Sequence, residues 1–362
     1  MIKPGLCVGL DSSNYLKIIN TVKADVFKVN PAFNPGETET IAKILNSKNI
    51  RWIYDAKLWD VPHTNKAYAK YVFETLGASG VTLNPFVGLD ALQPFFDYKD
   101  KTSFILCKTT NHSNTIAQDF MYQDIIKLAE ENHNIGIVHS SEGLPKIKSI
   151  ILCPGIGAQS GKIRARSNVL YSVSRSIIKS ENPRKKSVKY YNKVHSNLIY
   201  YKLIKEKYVK FGKFTLSSGI ESDFYVDLKA ITKDIDLFKR ITEMLSTKVS
   251  NNRVLGIESG SISLATSVAL NKDASFGFVR KQAKNYATKN CVEALEESNE
   301  PVTIVDDVLT TGKSVFNAIQ VAKNYNITEI IVVVERGTEA REMLEALGYT
   351  VRSLIKISSS HS

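Results

Sequence analysis

The stretch RWIYDAKLWDVPHTNKAYAKYVFETLGASGVTLNPF (Arg51–Phe86) shows the pattern on which the fold prediction rests. It begins with a β-rich run, RWIYDAK, continues through an amphipathic segment, HTNKAYAKYVFETL, and ends in a second β-rich run, GVTLNPF. Parallel strands need a crossover between them, and a helix usually supplies it. The stretch is therefore typical of a β-α-β unit.

The same alternation fills residues 1–180. Its β-rich runs begin at Leu6, Asp25, Arg51, Gly80, Ser103, Asn134, Ser149 and Asn168. Eight such units predict a (β/α)8 (TIM) barrel. An open doubly wound sheet is the alternative, but eight regular units with none left over favour closure.

The second half alternates as well, with β-rich runs that begin at Val254, Ser275, Val302, Glu329 and Val351. Five strands are too few for a barrel, so we expect an open, mostly parallel α/β sheet. Between the halves, the stretch KSENPRKKSVKYYNKVHS (Lys179–Ser196) is basic and lacks a clean apolar face. We therefore predict a barrel domain over 1–180, a basic linker over 181–196 that could run into a helix, and a second domain over 197–362.

Composition limits the possible classes of protein. The 362 residues are 43% hydrophobic and 23% charged, which is typical of a globular protein and argues against disorder throughout. Apolar runs are too short for a membrane span, and the N-terminal residues do not resemble a secretory signal. Four well-separated cysteines argue against a disulfide scaffold or a zinc site and suggest a cytoplasmic protein. The net charge of +12 suits nucleic acid, a membrane surface or small anionic substrates.

Polar residues follow the predicted barrel strands, at the end where barrels place their reactive groups. Asp55 and Lys57 are two residues apart on one strand and should face the same way. With Lys28 and Asp60 they could form an alternating charge network that keeps each group ionised. The glycine-rich PGIGAQSG (Pro154–Gly161) after the seventh strand and Arg175 after the eighth occupy the usual phosphate-binding place of a barrel.

These residues resemble the orotidine-5′-phosphate decarboxylase family over nearly the whole first half. The segments that carry the resemblance are GLD (Gly9–Asp11), FKVN around Lys28, DAKLWDVPHT (Asp55–Thr64), TLNPFVG (Thr82–Gly88), PGIGAQSG and SRSI around Arg175. The resemblance implies a charged tetrad of Lys28, Asp55, Lys57 and Asp60, with Asp60 and Thr64 reaching into the neighbouring subunit's site. It also implies that Asp11 contacts the ribose, that Gln159 and Arg175 contact the phosphate, and, more loosely, that Thr110 contacts the pyrimidine. No metal or cofactor is implied for this half.

The second half contains VTIVDDVLTTGKS (Val302–Ser314), an apolar strand followed by two acids and a small-residue turn that starts a helix. Backbone amides at a helix N-terminus bind phosphate, and the pair Asp306 and Asp307 suits ribose hydroxyls. The spacing differs from that of a P-loop. The segment is similar to the phosphoribosyl-pyrophosphate loop of type I phosphoribosyltransferases, which implies substrate contacts from Thr310, Thr311, Gly312, Lys313 and Ser314.

Three further segments are similar to orotate phosphoribosyltransferases: FGKFTLSSGIESDFYVDLK (Phe211–Lys229), FVRKQAKNYATKN (Phe278–Asn290) and VVVERGTEAREML (Val332–Leu344). The resemblance implies orotate contacts from Phe224, Tyr225 and Arg336. It also implies pyrophosphate contacts from Arg280 and from the catalytic Lys281 and Lys284, partly supplied by a partner subunit, and a bridging Mg2+. Three positions depart from the family pattern: Ser217 replaces a usual lysine, Tyr286 a usual histidine, and SGSIS (Ser259–Ser263) a usual G-G-I-P turn.

Together the two resemblances are those of a bifunctional UMP synthase with its decarboxylase half first. We expect orotate and phosphoribosyl pyrophosphate to give orotidine 5′-monophosphate, and this product to lose carbon dioxide and give UMP. The alternative is an active decarboxylase joined to a weak or inactive module that binds phosphoribosyl pyrophosphate. We expect small anionic substrates, no nucleic-acid or membrane partner, and a homodimer or higher homo-oligomer.

Overall fold

The computed structural model of the chain describes residues 1–110, 116–157, 161–164, 166–215, 221–280 and 291–357. Within these ranges the chain divides into two compact units, Met1–Leu198 and Ile199–Ser362. The first is a closed parallel barrel and the second is built around an open sheet, which confirms the predicted fold class.

Each β-rich run predicted in the first half forms one strand of the barrel. The strands are β1 (Gly5–Gly9), β2 (Val26–Val29), β3 (Trp52–Leu58), β4 (Gly80–Leu83), β5 (Thr102–Lys108), β6 (Ile135–His139), β7 (Ile151–Cys153) and β8 (Val169–Ser172). Each pairs in parallel with the next, and β1 closes the barrel on β8. The carboxyl ends of these eight strands therefore meet at one rim of the barrel.

Apolar side chains fill the barrel below this rim. Alternate strand residues such as Cys7, Val26, Ile53 and Phe104 form one buried cluster. Because side chains alternate across a strand, the residues two or more positions later on the same face point to the rim. Lys28 on β2 and Asp55 on β3 are in this position. The core thus fixes which side chains reach the site.

Helices surround the barrel and pack their apolar faces on its outer surface. They are α1 (Tyr15–Thr21), α2 (Thr38–Ser47), α3 (Pro62–Lys70), α4 (Gln93–Phe96), α5 (Ile116–Glu131), α6 (Arg175–Ile178) and the part of α7 (Pro183–Lys205) up to Leu198. The prediction of a helix after every strand is wrong at two places: none of the described residues between β7 and β8 is helical, and residues 140–150 between β6 and β7 form an irregular connection. Gly143 and Pro145 disfavour a helix there, and Arg166 binds the carbonyls of Leu144 and Pro145 instead.

The stretch predicted as a basic linker is helical from Pro183 onwards, as part of α7. Ser187, Val194 and His195 on this helix are buried, and His195 Nε2 lies 2.9 Å from Asp25 Oδ2. Packing against the barrel therefore supplies the stabilisation that the sequence of this stretch, without a clean apolar face, did not indicate. No helix in the described part of the chain is both long enough and apolar enough to span a membrane.

The second unit contains the predicted open sheet, with strand order β13-β12-β11-β14-β15-β16. Its strands are β11 (Arg253–Ile257), β12 (Ser275–Val279), β13 (Val292–Glu293), β14 (Pro301–Leu309), β15 (Asn326–Arg336) and β16 (Thr350–Ile357). All pair in parallel except β13, which is antiparallel to β12. The sheet packs with α8 (Ile235–Ser246), α9 (Ile262–Lys272), α10 (Lys313–Val321) and α11 (Glu339–Ala346).

A separate antiparallel hairpin precedes this sheet and was not predicted from the sequence. It consists of β9 (Val209–Thr215) and β10 (Glu221–Val226). Glycine, lysine and serine interrupt its apolar residues, so neither strand forms a β-rich run. Its strand β10 carries Phe224 and Tyr225, two residues that the sequence analysis predicts to contact the substrate.

Candidate functional sites

Three of the charged side chains named in the sequence analysis meet at the barrel rim. The carboxylate of Asp55 is 3% exposed and forms ion pairs with Lys28 and with Lys57. Lys57 Nζ lies 2.6 Å from Asp55 Oδ1, while Lys28 contacts the other carboxylate oxygen. Two cations thus flank one buried anion, and their attraction offsets the cost of burying it.

The electrostatics of this cluster keep Asp55 and Lys28 ionised. Burial alone would raise the pKa of Asp55, but Lys28 and Lys57 outweigh burial and leave that pKa below its usual range. Burial likewise acts to lower the pKa of Lys28, whereas Asp55 and then Asp11 raise it above its usual range. The site therefore holds fixed charges at neutral pH.

Thr82 on β4 completes the cluster, although the sequence analysis gave it no role. Its hydroxyl donates to Asp55 Oδ1 at 2.9 Å and accepts from the Lys57 backbone N–H at 3.1 Å. Lys57 has a φ of +50°, an uncommon conformation for a residue other than glycine. Thr82 therefore holds both the carboxylate and the unusual backbone of the neighbouring lysine.

Asp60 and Thr64 lie beyond the end of β3 and do not join the cluster within the chain. Asp60 Oδ1 accepts from the Val61 N–H at 2.7 Å, and no ion pair joins Asp60 to any described residue. Exposed apolar side chains surround this segment: Val61 is 57% exposed, and the rings of Trp59 and Phe86 meet edge to face at 5.5 Å. The structure thus brings together three of the four predicted tetrad members.

Three of the residues predicted for ribose, phosphate and pyrimidine, namely Asp11, Arg175 and Thr110, lie at the same rim. Asp11 follows β1, and its buried Oδ1 accepts no hydrogen bond from a described residue. Arg175 is exposed at the start of α6, and Thr110 is exposed just after β5. Gln159 lies outside the described residues.

In the second unit, a cavity of about 370 Å3 collects residues that are far apart in sequence. Most of the predicted substrate-binding residues line it: Phe224, Tyr225, Asp307, Thr310, Thr311, Gly312, Lys313, Ser314 and Arg336. Gly312 has a φ of +78° and immediately precedes α10, so the chain turns sharply before the helix begins. The turn to which the sequence analysis assigned phosphate contacts therefore lies at a helix N-terminus.

The two adjacent acids have different environments. The prediction that they end the strand is wrong, since β14 continues to Leu309. Asp306 is buried, and burial followed by repulsion from Asp307 raises its pKa well above the usual range. Asp307 lines the cavity, and its Oδ1 accepts from the Val308 N–H at 2.8 Å. Of the pair, Asp307 is therefore the one that can meet a ligand.

Arg336 and residues of the hairpin also line this cavity. The Arg336 guanidinium carbon lies 4.8 Å from the ring centroid of Phe224, which is a cation–π contact. Tyr225 lies next to Phe224 on β10 and is 42% exposed. A planar cation beside aromatic rings suits a flat anion such as an aromatic carboxylate.

The predicted pyrophosphate-binding cations are only partly described. Arg280 is paired with Glu293, with Nε and Oε1 at 2.6 Å. Lys281 and Lys284 lie outside the described residues, as do the departures from the family pattern at Ser217 and Tyr286.

The third departure, SGSIS, brings its glycine close to the acid pair. A Cβ placed on Gly260 would lie only 2.8 Å from Asp307 Oδ2 and 3.3 Å from Lys229 Cε. The Ser261 hydroxyl bonds the backbone of Ile257 at 2.6 and 2.9 Å, which fixes the turn. The changed sequence therefore still supports a turn that approaches Asp307 closely, and Lys229 is a cation that the sequence analysis missed.

Comparisons with known proteins match this division of the chain. The family described as orotidine 5′-phosphate decarboxylase / HUMPS matches residues 4–190, and the phosphoribosyl transferase domain matches residues 227–359. The "Bifunctional enzyme PyrF/PyrE" of Nostoc sp. is 26% identical over 88% of this chain and 79% of its own length. The "Orotate phosphoribosyltransferase" of Methanococcus maripaludis is 38% identical over 38% of this chain and 77% of its own length. The solved structure of Leishmania donovani UMP synthase is 24% identical, with a TM-score of 0.48, over 98% of this chain and 91% of that one.

Proposed function

We propose a mechanism residue by residue from one premise: the chain belongs to the orotidine 5′-phosphate decarboxylase family in its first half and to the orotate phosphoribosyltransferases in its second. It is a bifunctional enzyme of pyrimidine synthesis that makes orotidine 5′-monophosphate from orotate and phosphoribosyl pyrophosphate and decarboxylates it to UMP. The observation that carries this conclusion is that one chain holds both the Lys28–Asp55–Lys57 cluster and the cavity beside Asp307 and Arg336. No finding favours an inactive second half.

The decarboxylation is assigned to the cluster at the barrel rim. The bond from C6 of the pyrimidine to the carboxylate breaks, carbon dioxide leaves, and the electron pair stays on C6. The ammonium of Lys57 stabilises this developing carbanion and then donates a proton to C6. Asp55 and Lys28 hold Lys57 in place. The buried, unpartnered oxygen of Asp11 supports a contact with a ribose hydroxyl.

The fourth member of the tetrad, Asp60, is assigned to the neighbouring subunit's site together with Thr64. Asp60 pairs with no described cation of its own chain, and exposed Trp59, Val61 and Phe86 surround it. Exposed apolar side chains in a patch are typical of interaction surfaces. We therefore propose a homodimer, or a larger homo-oligomer, in which the barrel sites are shared.

The phosphoribosyl transfer is assigned to the cavity of the second unit. Arg336, Phe224 and Tyr225 hold orotate, and the turn from Thr310 to Ser314 holds the 5′-phosphate through backbone amides and hydroxyls. The orotate N1 then forms a bond to C1′ of the ribose and loses its proton to the departing pyrophosphate, while the bond from C1′ to pyrophosphate breaks and its electron pair leaves with the pyrophosphate. Asp307 binds the ribose hydroxyls, with Asp306 buried behind it. Arg280, Lys281 and Lys284 are assigned to the departing pyrophosphate.

Mg2+ is proposed as the cofactor of the transferase half, and no cofactor for the decarboxylase half. The carboxylate of Asp307 at the cavity is a hard oxygen ligand of the kind that Mg2+ binds together with substrate phosphates. The bound ion would reduce the negative charge of the diphosphate.

We also propose the domain limits 1–180 and 197–362 and, because all four cysteines are free, a cytoplasmic location.

A pair of variants tests the two assignments in the full chain. Lys57→Ala removes the proposed proton donor of the barrel, so with orotate, phosphoribosyl pyrophosphate and Mg2+ it should accumulate orotidine 5′-monophosphate, whereas the wild type yields UMP. Asp307→Ala should do the reverse, decarboxylating added orotidine 5′-monophosphate but consuming little orotate. Wild-type UMP production by Lys57→Ala would contradict the assigned role. If the wild-type protein consumes no orotate, the second half only binds its ligand.

A further inference from the structure

Tyr190 lies on α7, in the basic stretch predicted to be a linker, and its hydroxyl reaches the barrel rim. Tyr190 Oη and Ser176 Oγ are 2.9 Å apart, a hydrogen bond in which either hydroxyl can donate. Ser176 immediately follows Arg175, the residue assigned to the substrate phosphate. Tyr190 of α7 thus directly contacts the segment that carries Arg175.

The same hydroxyl lies against the glycine-rich loop. A Cβ placed on Gly157 would lie 2.4 Å from Tyr190 Oη and 3.0 Å from Ser176 Oγ, so only glycine allows this approach. Gly157 also has a φ of +82°, which favours glycine. Gly157 of the glycine-rich loop, the start of α6 and α7 therefore meet at one hydroxyl group.

The backbone on the other side of Arg175 is fixed separately. The Ser174 hydroxyl accepts a hydrogen bond from the Gly9 N–H at 3.0 Å. Arg175 thus stands between two serines, one bonded to β1 and the other to α7, while its own side chain is exposed. The bond through Ser176 also lies against Gly157 of the glycine-rich loop.

We propose that Tyr190 is a positioning residue for the phosphate of the barrel's substrate, an inference that rests on the proposed roles of Arg175 and the glycine-rich loop. Its hydroxyl sets the distance between these two elements, and so the width of the phosphate site. Binding energy from the phosphate is used at the distant C6 in the transition state. A misplaced site therefore lowers kcat/KM for the phosphorylated substrate and leaves a substrate without phosphate unaffected.

The test compares two substrates, orotidine 5′-monophosphate and the nucleoside orotidine, which lacks the phosphate. Tyr190→Phe removes one hydroxyl and should lower kcat/KM for the nucleotide roughly 3- to 10-fold, the effect of one neutral hydrogen bond. The value for orotidine should stay at that of the wild type. Tyr191→Phe is the matched control, because the ring of Tyr191 stacks on His195 at 3.9 Å, and we expect no change with either substrate.

Two further variants make every result decisive. Ser176→Ala should have the same effect as Tyr190→Phe, and the double variant should lose no more than either single one, since both remove one bond. Arg175→Ala should lower kcat/KM for the nucleotide more strongly and spare orotidine. If Arg175→Ala is selective for the nucleotide but Tyr190→Phe is not, the role of Tyr190 is refuted. If Arg175→Ala affects both substrates equally, the phosphate assignment itself is wrong.

Discussion

Replacing Thr82 with valine removes one buried hydroxyl from the barrel rim while keeping the shape of the side chain. The wild-type hydroxyl donates to Asp55 at 2.9 Å and accepts from the Lys57 N–H at 3.1 Å. A hydrogen bond to a charged group contributes about 1.5–3 kcal/mol, and the unsatisfied N–H adds a further cost. Because Asp55 keeps both lysines, we expect the free energy of unfolding of the barrel to fall by about 2–4 kcal/mol.

The effect on catalysis should exceed the effect of lost stability. Lys57 has a φ of +50°, and such strain costs on the order of 1–3 kcal/mol unless neighbours maintain it. Without the Thr82 oxygen the Lys57 backbone can relax, and the Lys57 ammonium then moves away from C6 of the bound pyrimidine. A displacement of roughly 1 Å can cost about 100-fold in rate, so we expect kcat for decarboxylation to fall about 10- to 100-fold.

Both effects are measurable in the full chain. Its two tryptophans, Trp52 and Trp59, are both in the barrel, so tryptophan fluorescence in urea follows the unfolding of this unit alone. Thr102→Val is the matched control, because the Thr102 hydroxyl accepts from the Ile2 N–H at 3.0 Å at the opposite end of the barrel. It should lower stability by about 1–3 kcal/mol and leave kcat unchanged. An equal kcat for the two variants would refute the positioning role of Thr82.

Three other predictions concern the charged groups. Asp60→Ala and Lys57→Ala, each inactive in decarboxylation alone, should recover activity when mixed and re-equilibrated; mixtures no more active than either parent would exclude the shared site. The lowered pKa of Asp55 means that its stabilisation is complete above about pH 4 and is lost as pH falls through the lowered pKa. The barrel stability lost in Asp55→Asn, about 3–5 kcal/mol at neutral pH, should therefore shrink in acid, and a constant difference in urea unfolding would contradict this. Because the pKa of Asp306 is raised in the folded protein, its carboxyl destabilises the fold increasingly as pH rises. Asp306→Asn should therefore raise the Tm more at about pH 8 than at about pH 5. An equal rise in Tm at the two pH values would argue against a buried carboxyl that resists ionisation.

The sequence alone predicted the elements whose signal is local. Each barrel strand is a short β-rich run, and the segment Val302–Ser314 contains strand, acid pair, turn and helix start within a few residues. Asp55 and Lys57 could be placed together because they are two residues apart on one strand. In each case the residues that cooperate are close in sequence, so propensity and spacing carry the information.

Only the tertiary structure decided which distant residues meet. Thr82 contacts Asp55 because β4 pairs with β3, and a bulge in that pairing next to Lys57 cannot be read from either strand alone. Residues 183–196 are helical because the barrel buries Val194 and His195, although the stretch itself has no clean apolar face. Tyr190 meets Gly157 and Ser176 because this helix packs against the barrel. Such contacts depend on the closure of the sheet and the packing of helices around it, which no local stretch of sequence encodes.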